Sequence, residues 1–521
     1  MQARRCAPYS EPSARPAHAP AILRMSHAFT ALDWIVLLAY LLGVTAMGTL
    51  LGRRQKDARD YFLADRTIPW WAICFSVVAT ETSALTFISV PATAYGSDFW
   101  MLQLAAGYVI GRVLVSAVLL PGYFRGETLT AYALLERRFG PGTRRFASSV
   151  FLVTRILADG VRVFATAIPI HLITGFPYWQ AILVTGAFTV VYTWYGGLRA
   201  VVWVDVVQMF VYLLGGLAAL WVVSRLVPGG WDGIAHAAPG KMRVLHPAGG
   251  FARADWVLTG IVGGAFLSMA SHGVDHLIVQ RLLASRSLAD ARRALVTSGV
   301  VVFAQFALFL CVGLGLFAFY RGRAFATPDE IFPTFIVEHL PPGVTGLVIA
   351  AILAAAMSTI SSSLNSLASA ATHDLYAPLT GRTDEAHLMK VGRGLTLVAA
   401  AALIGAAMLF QLAQQGTPVV LVALQIASFT YGGLLGGFLL GLLSKRATSA
   451  DAVAGMAVAI ALMASLWAAQ QFGWMPRVID SLWFSLLGAM VTVAVGTGLA
   501  ALRGRPARAL TTDQAVTERT A

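Results

Sequence analysis

Charge is the first thing this chain lacks. Only 12% of its 521 residues are Asp, Glu, Lys or Arg, while 57% are hydrophobic and the mean hydropathy is +0.71. Average soluble domains carry about 25% charged residues, so an ordinary water-soluble globule is excluded and lipid must solvate much of the chain. Cysteine is scarce too. Cys6, Cys74 and Cys311 lie far apart, two of them in apolar runs, which excludes a disulfide framework and a zinc site. No Gly-x4-Gly-Lys-Ser/Thr stretch occurs, which argues against an ATP-driven pump. The short alternating segments of an outer-membrane barrel are missing as well. The region up to Leu23 lacks the apolar core of a secretory signal. A net charge of +13 would fit nucleic acid only if the basic residues clustered on a soluble face or tail, and they lie instead in short loops between apolar runs.

What the chain has is apolar length. A helix needs about 20 residues to cross the hydrocarbon core, and thirteen runs qualify: 33–52, 69–93, 98–121, 146–174, 178–195, 200–224, 255–280, 294–319, 343–372, 389–411, 417–443, 450–469 and 481–502. They predict an all-α polytopic membrane protein of about 13 transmembrane helices. The expected organisation is a disordered tail over 1–30 with Met25 as an alternative start, one transmembrane domain over 31–503, and a C-terminal tail over 504–521. With the N-terminus outside, the cytoplasmic loops hold 24 Lys and Arg and the other side 11, of 38 in all. That bias predicts N-terminus out and C-terminus in, at a bacterial cytoplasmic membrane. The largest outer loop, 225–254, is too short for a catalytic module. The expectation is a non-enzyme with no nucleic-acid partner.

Ionisable groups at membrane depth are costly and mark function. The second helix holds Thr80, Glu81, Thr82, Ser83 and Thr86 within seven residues, followed by Pro91. Such a cluster weakens a helix and frees carbonyls to coordinate an ion. Isolated Ser and Thr more often bond their own helix, but a Glu in the same turn favours a site. The fourth helix stacks Arg155, Asp159 and Arg162 on one face. An internal ion-pair network is the bland reading; the surplus positive charge favours an arginine that grips a carboxylate. The sixth helix carries Asp205, and the ninth a hydroxyl stripe of Ser358, Ser361, Ser362 and Asn365. Serine stripes are usually packing seams. Combined with a carboxylate and carbonyls, they supply the oxygens that Na⁺ wants. In the seventh helix, His272 and His276 stand four apart without a third metal ligand, so a capping or gating role is favoured over metal binding. Ser271 and His272 are adjacent in sequence and make poor evidence for a nucleophile and base.

Taken together, Gly196-Gly-Leu-Arg followed by Trp203-Val-Asp-Val-Val-Gln208, then Val279-Gln-Arg281, and Ala351-Ile-Leu-Ala-Ala-Ala-Met-Ser-Thr through His373-Asp-Leu-Tyr376, resemble the sodium/solute symporters. The resemblance runs from about Asp33 to Leu502. It implies the inverted-repeat architecture of the leucine transporter, with five-helix repeats over the second to sixth and seventh to eleventh helices. It also implies Na⁺ as coupling ion, with one or two ions carried. One sodium site would use carbonyls of Ala79, Thr82 and Ala355 with hydroxyls of Ser358 and Thr359. A second, patterned on the sialic acid transporters, would use Asp205, Ser358, Ser361 and Ser362. The substrate would meet Ser83, Thr86 and Phe87, with Gln103, Gln425 and either Arg155 or Arg162. Glu81, Ser271 and His272 take gating or coupling roles, and the last two replace the aromatic gate and glycine of sugar-transporting members.

The expected function is thus sodium-coupled import of a small organic solute by alternating access, with one chain sufficing in the lipid bilayer. An anion such as a sialic acid or monocarboxylate is preferred. Proton coupling through Glu81, a sugar or amino-acid substrate, and a channel or membrane sensor are the alternatives.

Overall fold

The computed structural model describes residues 29–52, 55–126, 128–325, 327–413 and 419–503. Among them no strand forms; an isolated bridge joins Ile68 to Ser285. Helix α1 (Ala31–Leu51) starts at a capping box between Thr30 and Asp33 and is followed by the short α2 (Ala58–Leu63). The second predicted run splits into α3 (Trp70–Glu81) and α4 (Ala84–Gly96), bent by 65° at the junction. Then come α5 (Met101–Val118), the short α6 (Leu120–Tyr123) and α7 (Ala133–Phe139), and α8 (Pro141–Thr174).

The fifth and sixth predicted runs form the two halves of α9 (Tyr178–Leu226). Its chain folds at Gly197, where φ is 53° and ψ is −160°. Side chains rarely tolerate that geometry, and a Cβ there would stand 2.5 Å from the Tyr61 carbonyl oxygen. Short α10 (Gly230–Ala237) opens the outer loop, and a π turn at Thr259–Gly263 leads into α11 (Gly264–Gly273) and α12 (His276–Leu283), which make up the seventh run. Beyond lie α13 (Leu288–Tyr320), α14 (Ile331–His339), α15 (Val344–Ala370), α16 (Ala377–Thr380), α17 (Glu385–Ala413), α18 (Val419–Leu443), α19 (Ser449–Gln471) and α20 (Phe484–Leu502).

All thirteen predicted runs fall on helix. Eight helices are long and apolar enough to cross a membrane, or nine with α3 and α4 taken as one span, among the described residues. The interruptions carry the architecture. They occur in the second and seventh runs, the first helix of each five-helix repeat. At the first break Thr82 and Ser83 adopt extended backbone. At the second, Asp275 is extended and its carboxylate accepts the N–H of Leu277 at 2.9 Å, capping α12. Pro91 sits inside α4, away from the break, so the Thr and Ser residues mark the interruption better than the proline does.

At the centre lies α15, whose residues from Val348 to Ala370 are all buried. It packs on α9, α1, α8 and α17 and passes beside both breaks through α3 and α12. Small residues along it let those neighbours approach. Asp33 ties α1 to its start by accepting the N–H groups of Gly343 and Gly346, each at 2.8 Å.

Candidate ion and solute sites

The break after Glu81 leaves the last carbonyls of α3 without helical partners, and α15 supplies hydroxyls opposite them. Ser358 Oγ lies 2.7 Å from the Ala79 carbonyl and 3.0 Å from the Ala355 carbonyl, and Thr359 Oγ1 lies 3.1 Å from the latter. Ala79, Thr82, Ala355 and Ser358 line one tight pocket with Gln208, Met209 and Tyr212. Four of the five expected oxygen donors of the first sodium site thus border one space, and Thr359 adjoins it through the Ala355 carbonyl. The Thr82 hydroxyl is engaged elsewhere, 3.1 Å from Gln305 Oε1, and leaves only the carbonyl of Thr82 for an ion. Hydroxyls and carbonyls without a net charge suit Na⁺ better than a divalent cation.

The second set is differently arranged. Asp205 Oδ2 accepts from Ser76 Oγ at 2.6 Å and faces Arg281 at 3.4 Å. The wholly buried Arg281 guanidinium also donates to Ser362, and Ser362 lies 2.9 Å from the Thr80 hydroxyl. Ser361 turns to the Ser358 carbonyl at 3.1 Å. Asp205 and Ser362 therefore meet through the arginine of the Val279-Gln-Arg281 motif. Asp205 Oδ1 is buried without a partner, a donor that suits a cation.

The arginines of α8 are resolved by an aspartate from the second break. Arg155 is buried and donates to Asp275, to Asp159 at 3.3 Å and to the hydroxyl of Tyr431. Asp159 also takes Arg162 at 3.2 Å and the Ser363 hydroxyl. Two carboxylates thus balance two guanidiniums, so the surplus charge expected from α8 alone is cancelled by Asp275. Arg155 is thus engaged by Asp159, Asp275 and Tyr431 within the protein. Among the described residues the Arg162 side chain has one partner, Asp159, and it is 17% exposed.

Glu81, Ser271 and His272 do come together. Glu81 pairs with the buried Arg112 of α5, and His272 Nε2 lies 3.5 Å from the same carboxylate oxygen. Ser271 Oγ is 2.8 Å from His272 Nδ1. His276 stands beyond the break on α12, so it is not one turn from His272 as the spacing implied. It packs against the Ala131 N–H and Ser369, consistent with a structural role, and no metal cluster forms among the described residues.

Two residues expected at the substrate are engaged within the protein. Phe87 is wholly buried, stacked on Phe332 and edge-on to Tyr212, because α4 turns that face into the core. Gln103 is clamped to the outer loop, donating to the Asp255 carbonyl at 2.9 Å and accepting the His246 N–H at 3.2 Å. Ser83 is buried at the start of α4 and Thr86 is partly exposed. The side chain of Gln425 lies outside the described residues. Reasoning from sequence missed Arg112, Arg281 and Asp275. An arginine amid the apolar run of α5 was the available signal for the first.

The model of the sodium:solute symporter family matches residues 61–459. The sodium/sialic acid symporter NanT of Aliivibrio fischeri is 31% identical, with 90% of this chain and 93% of that protein covered. The sodium/sialic acid symporter SiaT of Proteus mirabilis is 29% identical over 94% and 99% of the two chains. A substrate-bound, outward-open Na⁺-coupled sialic acid symporter superimposes with a TM-score of 0.83 at 29% identity, covering 92% of this chain and 100% of that one. The apolar spans, the interrupted helices and these matches lead to one conclusion: the chain belongs to the sodium:solute symporter family.

Proposed function

We propose that this multi-pass symporter carries a small organic carboxylate, of the sialic acid class, inward with sodium by alternating access. The observation that supports it most is the convergence of the Ala79, Ala355, Ser358 and Thr82 oxygens at the break of α3, in a bundle where Arg162, unlike the buried Arg155 on the same helix face, keeps exposed surface. Sodium held between α3 and α15 joins the two repeats and favours the outward-facing state. Its departure frees them to separate. Residues from His272 to Ser285 are all buried, while Glu81, Thr86, Tyr108 and Ser271 are partly exposed, which fits a conformation sealed on the side of α12. Arg162 would take the carboxylate through its forked donors.

The second set is a site for a second sodium at Asp205 Oδ1, with Ser361, Ser362 and Ser358, reached when Arg281 releases Ser362. Proton coupling through Glu81 is the weaker reading, since Arg112 already pairs that carboxylate. From the positive-inside charge bias we infer an N-terminus outside and a C-terminus inside a bacterial cytoplasmic membrane, with one domain over 31–503 and a single chain sufficing for transport.

The test is uptake of N-acetylneuraminate into proteoliposomes under an inward sodium gradient. Accumulation that vanishes when choline replaces sodium supports the reading. Uptake driven equally by a proton gradient, or none with sodium for any carboxylate in a panel, would overturn it.

A further inference from the structure

Glu81 is the last residue of α3, between the residues whose carbonyls border the first ion pocket. Its contacts fall on one oxygen: Oε2 takes both Arg112 and His272. Arg112 has no exposed surface and donates as well to Ser298 Oγ at 2.6 Å, so the rear of the carboxylate is satisfied from within the protein. The side chain is nevertheless 22% exposed, and among the described residues its contacts fall on Oε2 and none on Oε1. Around it stand partly exposed Ser271, bonded to His272, and partly exposed Tyr108, within electrostatic reach of Glu81, Arg112 and Arg162.

We propose that Glu81 Oε1 is a specificity-determining subsite, accepting a hydrogen bond from a neutral donor on the transported solute, a hydroxyl or an amide N–H. The charge arithmetic selects that class. Arg112 already offsets Glu81, so a cationic group would leave a net positive charge beside a buried guanidinium, and a second carboxylate would meet lone pairs. A neutral donor satisfies the free oxygen and leaves the balance at zero. A site built to hydrogen-bond a hydroxyl discriminates against the analogue lacking it, because its own polar group is then left unpaired. The assignment rests on the carboxylate reading above and adds what the rest of the solute must carry.

The experiment measures sodium-dependent binding to the full-length purified protein for matched pairs. These are N-acetylneuraminate against its single-deoxy analogues, glycerate against propionate, and the neutral pair glycerol against propane-1,3-diol. At least one hydroxyl is expected to improve affinity about tenfold or more, and the E81L/R112L double variant, neutral like the parent pair but without the acceptor oxygen, is expected to lose that preference while sodium alone still stabilises it. Equal affinity within every pair for the unaltered protein, or an intact preference in a folded double variant, would overturn the proposal. Should the double variant not fold, the pairs decide on the unaltered protein. If only neutral polyols bind with sodium, the carboxylate reading fails while the Glu81 assignment is judged by the glycerol comparison.

Discussion

Arg155 and Arg162 lie seven residues apart on one helix, yet the structure predicts opposite consequences for removing them. Arg155 is the main counter-charge of Asp275, a wholly enclosed carboxylate at the break of the seventh run. Arg155→Ala leaves that charge uncompensated, and breaking a buried pair from one side costs about 3–5 kcal/mol, a large share of the stability of any domain. Arg162→Ala removes only one of the groups on Asp159, which keeps Arg155 and Ser363. The fold should therefore survive. What is lost is a charge-assisted hydrogen bond to the solute, about 1.5–3 kcal/mol, or roughly 10- to 150-fold in affinity. Arg162→Lys keeps the charge without the fork and should fall between. Thermal unfolding of each purified variant with and without sodium, followed by titration with N-acetylneuraminate, separates the two effects. Wild-type affinity in Arg162→Ala would refute the assignment of the carboxylate partner. So would an Arg155→Ala protein of normal stability whose affinity is lost.

The same reasoning extends to other positions. Ser358→Ala deletes the hydroxyl that meets the Ala79 and Ala355 carbonyls and should raise the sodium concentration for half-maximal binding about tenfold, equivalent to roughly 1.4 kcal/mol; sodium titration of stability at fixed solute checks it. Phe87→Ala should cost about 3–5 kcal/mol of stability, as for other buried aromatic truncations, with the solute Kd of the folded fraction unchanged; a selective loss of affinity would return Phe87 to the solute site. In the outer loop, a hydrogen bond from Arg253 holds the Asp255 carboxyl below its ordinary value of 3.8. A depressed folded value means the pair contributes fully above that pH and is lost as pH falls through the folded value. Amide exchange across residues 246–257 should accordingly rise by a small step below about pH 4, small because the pair is partly exposed, and Asp255→Asn should abolish the step.

Much of the fold is legible because the bilayer imposes a length on every apolar run, and the runs found by that length all became helices. The breaks were legible at Thr82 and Ser83, whose polar side chains are out of place in a simple span. The oxygen-lined space at the first break followed, since a broken helix has spare carbonyls and Ser358 is a hydroxyl that faces them. The ion pairs were not legible. Glu81 meets Arg112 at a separation of 31 residues, Asp205 meets Arg281 at 76, and Arg155 meets Asp275 at 120. Nothing local signals such partners, so a charge sum over α8 alone came out wrong by one. The contacts of Phe87 and Gln103 were not legible for a related reason: in helices apolar on most sides, sequence does not say which face meets the core or a loop.

Around the two helix breaks the carboxylates of Glu81, Asp159, Asp205 and Asp275 are matched by the guanidiniums of Arg112, Arg155, Arg162 and Arg281. A helix bundle balanced in this way is electrically quiet: its own rearrangement displaces little charge through the membrane field. Any steady current recorded with solute present then belongs to the cargo. A monovalent anion carried with one sodium ion gives no current, and carried with two it gives one elementary charge per cycle, driven by about 2.3 kcal/mol for each 100 mV. The ratio of charge to solute would therefore count the sodium ions directly.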